Sequence, residues 1–320
     1  MFRILRYAGI GQSRNLVDLP SWVPDWTACL QTFILSHRMK AHNFRASLDS
    51  KPRWSISEAK RTVSHPQPKP AISPNAASAR HLAVLRLDAV IFDRISRVID
   101  IFNPSSNDQV HHGLFQRALK DIARLQRYPT GQSMTEAFWR TTVADSDSSG
   151  RPAREEFLKI WQDFVSELGL LADDDNCEPN IPPFQPSLLT RLSSQDKRFG
   201  HLLSSELSHS NPHLEEHFCS ILGPTYSFFY DSFNVPLFVF GRKLCLTEKG
   251  YLGLVPQRSL DGDTICIFLG AETPHIIRPC EGDDGRQSSV YQLVGECYIH
   301  GIMDGEILKK PYETHQIHLI

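Results

Sequence analysis

Two histidines stand four apart in His213-Leu214-Glu215-Glu216-His217, the H-x-x-E-H order in which one helix face grips a zinc ion and the glutamate serves as general base. A protein zinc site also needs a third ligand, and no downstream helix marks one. Leu214 and Phe218 define the buried face of this stretch, so His213 and His217 fall on its flank and read as a surface pair. Asp145-Ser146-Asp147-Ser148-Ser149-Gly150, with Glu156 in the twelfth place, carries oxygen ligands at the positions of an EF-hand calcium loop. Pro152 occupies the eighth place, where the loop needs a backbone N–H that proline lacks. Asp145, Asp147 and Glu156 therefore read as a solvated connection between helices. The expectation is no bound metal and no cofactor, with these five residues as the metal candidates to test. A third group, His300, Asp304 and Glu306, is polar at the end of an apolar strand and offers acid–base groups without a motif to order them. No G-x-S-x-G, P-loop or G-x-G-x-x-G sequence occurs.

The elements that position these residues follow from periodicity. Leu85, Leu87, Ala89 and Ile91 alternate with Arg86, Asp88 and Val90, so 82–101 reads as a strand, a turn near Asp93 and a second strand, a hairpin. The middle reads as helical. Leu114, Ala118, Ile122 and Leu125 share one helical face. Ser133-Met134-Thr135-Glu136 is a capping box opening a helix that carries Phe138 and Trp139. Phe157, Ile160, Trp161, Phe164, Val165 and Leu168 form another stripe. Asn211-Pro212 reads as N-cap and first turn of a helix burying Leu214, Phe218, Ile221 and Leu222. From about 236 the period returns to two in short runs separated by Gly241, Gly250 and Asp261-Gly262-Asp263. The expected class is α+β: a helical middle with a β-rich C-terminal small sheet or barrel. The expected divisions are 1–47, a linker at 48–80 that is proline-rich and disordered, 81–230 holding the hairpin and helices, and 231–320 holding the β region.

Composition narrows the partners. Lys and Arg number 34 against 36 Asp and Glu, a formal charge of −2, which gives no electrostatic reason to expect nucleic acid or an anionic membrane. No run of eighteen apolar residues is present, so no transmembrane helix is expected. Seven scattered cysteines without a C-x-x-C pair read as reduced thiols in a cytoplasmic protein.

Three passages together resemble the fungal heterokaryon-incompatibility (HET) proteins. Leu19–Trp26 (LPSWVPDW) looks like the segment that closes their signature domain. Ala137–Asp145 (AFWRTTVAD) looks like the helical passage that follows, and Gly250–Pro256, Gly262-Asp263, Leu269-Gly270, Pro274, Arg278 and Tyr291–Glu306 (YQLVGECYIHGIMDGE) look like their C-terminal β region. The resemblance covers nearly the whole chain and implies a role in non-self recognition and regulated cell death. About eighteen residues precede Leu19, so residues 1–47 are expected to be the remnant of a signature domain that is mostly missing. The expected activity is that of a non-catalytic interaction module whose partner is another protein, with a full-length HET-domain relative as candidate. The alternatives are an enzyme with a dispersed site near the C-terminal motif and a truncated, non-functional remnant. The motif residues taken as candidates for binding are Trp22, Trp26, Trp139, Arg140, Arg278, Glu296, Tyr298, His300, Asp304 and Glu306. With its upstream domain missing, the segment bearing Trp22 and Trp26 is expected to be sticky, and removing residues 1–47 to improve solubility.

Overall fold

Thr264-Ile265-Cys266-Ile267-Phe268 is buried at all five positions, which a strand achieves when both of its faces are covered. Cys266 and Phe268 pack into one hydrophobic core, and Ile265 and Ile267 into a second. The same division recurs in adjacent pairs, Ile277 against Ile276 and Leu293 against Val294. A wall of strands therefore separates two cores, and side-chain alternation feeds both.

The structure is a computed structural model that describes residues 2–28 except 13 and 17, together with 35, 44–60, 81–100, 122, 127–146, 151–155, 158, 241–281 and 287–320. Its elements are α1 (Phe2–Leu5), β1 (Trp54–Lys60), β2 (His81–Ile99), α2 (Met134–Thr142), β3 (Arg242–Thr247), β4 (Leu252–Pro256), β5 (Thr264–Phe268), β6 (His275–Glu281), β7 (Gln287–Glu296), β8 (Tyr298–Ile299) and β9 (His315–Leu319). Strands β2, β5, β6, β7 and β9 pair in a ring that closes on itself, because β5 returns to β2. All its contacts are antiparallel except β7 with β9. Closure leaves no free edge within the ring. The far end of β2 continues into β3, then β4 and β8, which cover the second core, and β1 pairs with the near end.

These pairings correct the α+β expectation. The described architecture is mostly β, one nine-stranded sheet with two short helices, and the helical middle does not define the class. Of the expected helices, the capping-box helix forms as α2. The stretches at 114–125, 157–168 and 211–222 lie almost wholly outside the described residues. Local periodicity described separate segments, whereas long-range pairing between β2 and strands beyond 241 sets the fold. The hairpin at 82–101 is corrected too. β2 runs straight through Asp93 as one strand of 19 residues. Its register shifts at Ile91/Asp93 against β5 and at Ile95/Arg97 against β3, and these bulges let it pass from the first core (Leu85, Leu87, Ala89) to the second (Phe92, Ile95). Asp93 makes no turn of its own. Its buried carboxylate accepts the Arg94 N–H at 2.8 Å and, across the β3–β4 turn, the Lys249 N–H at 3.0 Å.

The N-terminal segment belongs to the barrel. Leu5 and Ala8 are part of the first core, and Trp22 packs against it. The amides of Ile10 and Gly11 donate to the carbonyls of Leu293 and Val294 at 2.8 and 2.9 Å. Gly9 has φ +116°, and a Cβ there would collide with the Val294 carbonyl, so only glycine permits this approach. The Ser21 amide donates to Ile320 O at 2.8 Å, and the Leu293 amide donates to the Ser21 hydroxyl at 2.9 Å. Among the described residues no helix is long and apolar enough to cross a membrane.

These contacts reverse the expectation for truncation. Removing residues 1–47 uncovers Leu293 and Ile317 inside the barrel, so the shortened protein is expected to aggregate and to lose its cooperative thermal transition. Differential scanning calorimetry of the two proteins checks this, and an equally sharp transition in the shortened one would contradict it.

Candidate functional site

The candidate residues separate into four places. Arg278 lies in β6 and reaches the β4–β5 turn, where its Nε and an Nη donate to the two oxygens of buried Asp263 at 2.8 Å each and the same Nη reaches Arg258 O. It clamps a loop. Trp22 donates its indole N–H to Ala83 O at 3.3 Å and is half-buried, while Trp26 is 70% exposed with its ring 5.3 Å from Tyr7. Glu296 lies at the end of β7, where Gly295-Glu296 closes the strand. It is 3% exposed and faces Arg242, the first residue of β3, which is 1% exposed.

Both carboxylate oxygens of that buried pair are engaged. Arg242 donates to the Glu296 carbonyl at 2.8 Å and to Glu296 Oε1 at 3.2 Å. Glu296 Oε1 also accepts the Leu35 N–H at 2.6 Å, and Oε2 accepts the Thr273 hydroxyl at 3.3 Å. Burial pushes the Glu296 carboxyl up and the Arg242 guanidinium down, and each partner's charge opposes the other's shift. The geometry keeps the pair ionised, since every atom of the carboxylate has a donor.

Tyr298, His300, Asp304 and Glu306 converge on a cleft of about 400 Å³. Asp145, Arg151, Thr130, Gln132, Gly301 and Met303 complete its lining. β8 places Tyr298, and the turn after it places His300. Gly301 has φ +86°, and a Cβ there would lie 2.5 Å from the Thr130 methyl, so the turn needs glycine. The segments flanking α2 supply the opposite wall, Thr130 and Gln132 before the helix and Asp145 and Arg151 after it. Ser133 is its N-cap, with the hydroxyl accepting the Glu136 N–H at 3.0 Å. In the last turn Arg140 stacks on Trp139 at 4.5 Å and bonds Glu136 at 3.1 Å and Asp145 at 2.6 Å. The helix then ends in two left-handed residues, Ala144 and Asp145, that turn the chain toward the cleft.

A hydrogen-bonded relay crosses the cleft. The Tyr298 hydroxyl donates to His300 Nδ1 at 2.8 Å, and His300 Nε2 donates to Gln132 Oε1 at 2.8 Å. This tautomer is the neutral one. Burial, with the nearby Arg140 and Arg151, lowers the His300 pKa to about 4. Arg151 stacks on Phe44 at 4.2 Å and forks onto both oxygens of Asp304 at 3.1 and 3.2 Å. Burial raises the Asp145 pKa, against the pull of Arg140.

Asp145 is thus committed to Arg140. The other calcium candidates, Asp147 and Glu156, and the zinc candidates His213 and His217 lie outside the described residues. Among the described residues no group of three metal-ligating side chains assembles. Three cysteines, Cys245, Cys266 and Cys297, are buried, and burial raises all three thiols, so they pack as small apolar groups. The sequence reading missed Arg242, Arg151, Gln132 and Thr130. Arg242 follows Gly241 in a short alternating run, and an arginine at a position whose period points inward was its one available signal.

A family model for the Het-6 beta-barrel domain matches residues 88–320. The chain is 24% identical over 331 residues to "Heterokaryon incompatibility protein 6, OR allele" of Neurospora crassa, an alignment covering 95% of this chain and 41% of that protein. The chain therefore spans about two-fifths of that relative's length. No solved structure matches.

Two measurements probe the site. Glu296→Gln leaves Arg242 buried opposite a neutral group and is expected to destabilise by about 3–5 kcal/mol, read from urea unfolding; a change below about 1 kcal/mol would show that the pair is not held as described. His300 and His275 are both neutral in the fold, His275 with a pKa lowered to about 3 by burial. The unfolded chain takes up protons at both below about pH 6.5, so stability is expected to fall as pH drops from 6.5 toward 4. The limiting slope is about 1.4 kcal/mol per pH unit for each histidine. His300→Asn is expected to lose its share of that slope.

Proposed function

The chain belongs to the Het-6 β-barrel domain family, and from that membership we propose that it serves in fungal non-self recognition leading to regulated cell death, acting as a non-catalytic interaction module. The observation that supports this most is the alignment of 95% of the chain with a heterokaryon incompatibility protein. The cleft geometry is consistent with a shape-holding role. His300 has both ring nitrogens engaged and stays neutral, and Asp145 and Asp304 are each committed to an arginine. A protein partner, with a relative carrying a complete HET domain as the leading candidate, would read this preorganised surface. The cytoplasm is the compartment in which such a partner would be met.

A second reading, an enzyme, is favoured by the convergence of His300, Asp304 and Glu306 on one cleft.

Inducible expression in a fungal host, alone and with the complete relative, tests the proposal. Growth arrest or its relief is expected only in co-expression. Unchanged viability in both cases overturns the proposal. A stoichiometric module saturates when the two proteins reach equal amounts. An effect that continues at a small fraction of the partner's level would instead mark turnover.

A further inference from the structure

β1 leaves one edge of the sheet open. It pairs with β2 from Trp54↔Leu87 to Lys60↔His81 without a register shift, and among the described residues no strand pairs with its other edge. One hydrogen bond fixes which backbone groups that edge presents. The Asp88 amide donates to Arg53 O at 3.3 Å, so the backbone groups of Arg53, Ser55 and Ser57 point at β2 and those of Trp54, Ile56 and Glu58 point away from it. A row of amides and carbonyls at every second residue has the spacing of another strand's backbone. Native sheets guard such edges with charge, proline or a bulge. Trp54–Ser57 (WSIS) has none of these.

The side chains add a separate observation. Residues directly opposite in an antiparallel pair share a face, so Trp54 and Ile56 lie on the face of Leu87 and Leu85. On β2 that face is buried in the first core, whereas Trp54 and Ile56 are each 50% exposed. The apolar layer of the ring thus runs out onto β1 and ends uncovered. The other face is polar and basic. Ser55 stands opposite exposed Arg86, and Arg53, 79% exposed, meets Asp88 only at 3.9 Å.

We propose that the outer edge of β1 receives an extended segment of a partner protein as an added antiparallel strand, one that alternates apolar with acidic residues. The outward backbone row of Trp54, Ile56 and Glu58 supplies the bonding, as in other strand-addition complexes. Apolar residues of the segment cover Trp54 and Ile56 and continue the first core. Acidic residues between them meet Arg53 and Arg86 on the opposite face, where charge complementarity selects them. This inference rests on the interaction reading above and names the shape and chemistry of the segment that the partner presents.

The test uses the full chain and an acetylated, amidated hexapeptide that alternates valine and glutamate, followed by amide hydrogen exchange. In the free chain the amides of Trp54, Ile56 and Glu58 are expected to exchange fast. Saturating peptide is expected to slow them at least about tenfold and to leave Ser55 and Ser57 unchanged. Slow exchange of the outward set in the dilute free chain means that its own residues fill the edge, and protection that grows with protein concentration means that a second copy does; either overturns the proposal. In an antiparallel pair the valine N–H groups meet β1 and the glutamate N–H groups face away. N-methylating the valines is therefore expected to abolish binding and N-methylating the glutamates to spare it; equal binding of the two overturns strand addition. Replacing glutamate by lysine is expected to weaken binding at least about fivefold, and equal binding overturns the acidic preference. Ile56→Pro removes an outward N–H and no bond to β2, and is expected to abolish peptide binding with the cooperative melt retained. Co-expression separates this from the broader reading: viability effects that survive in Ile56→Pro overturn β1 as the docking edge and leave the interaction module standing. Peptide binding without any viability effect does the reverse.

Discussion

One ion pair without water around it governs how the halves of this fold meet. Arg242 opens β3 and Glu296 ends β7, so their contact ties the outer layer of strands to the closed ring. Desolvating two charges costs more than their attraction returns unless the remaining valences are filled. On the carboxylate they are, by Leu35 and Thr273, and the Arg242 guanidinium also reaches the Glu296 carbonyl. The requirement is strict enough to fix several distant segments at once. Leu35, the β5–β6 connection at Thr273 and the ends of two strands must all arrive together for the charges to be tolerated.

The double-sided wall makes the same demand in apolar form. β5, β6 and β7 carry apolar residues at consecutive positions, which would be a liability in a sheet with one wet face. Both faces are covered because the N-terminal segment seals one core and β3, β4 and β8 cover the other. The cleft lies on the outer layer, where the β8 turn meets the end of α2. Its polar side chains are held by interactions that a core-facing loop could not satisfy, among them the stacks of Arg140 on Trp139 and Arg151 on Phe44.

Much of this was readable where the signal is local. Alternation in Leu85–Ala89, the capping box at Ser133 and the glycine-marked turns of the C-terminal half each depend on neighbours a few residues apart. The motif at Tyr298–Glu306 was visible through resemblance, and the structure gathers its four candidate residues in one cleft. What escaped depends on distance. Nothing near Asp93 shows that the strand continues through it, because the bulges there are imposed by partners at 245–268. Closure of the ring depends on β5 meeting β2, a pairing across about 170 residues that no period records. Arg151 and Gln132 reach the cleft from loops on either side of α2, and neither stands in a pattern that would mark it. Overweighting the apolar stripes of the middle produced the wrong class, since a stripe reports what a segment buries and not what the whole chain builds.

The ring has a consequence for the order in which the molecule can be made. β2 is synthesised early, yet every ring partner it has comes from residue 264 onward, and β9 enters last, between β7 and β2. At ribosomal speeds of roughly 5–20 residues per second, a strand of 19 residues waits about ten seconds or more with its edges open. Such late, non-local closure makes folding slow. During that interval β1, which pairs with the first seven residues of β2 and is made just before it, is the neighbour available among the described strands. That pairing, kept in the finished fold, covers one edge of the near end of the longest strand early, while the edge that β9 takes stays open until the last strand arrives.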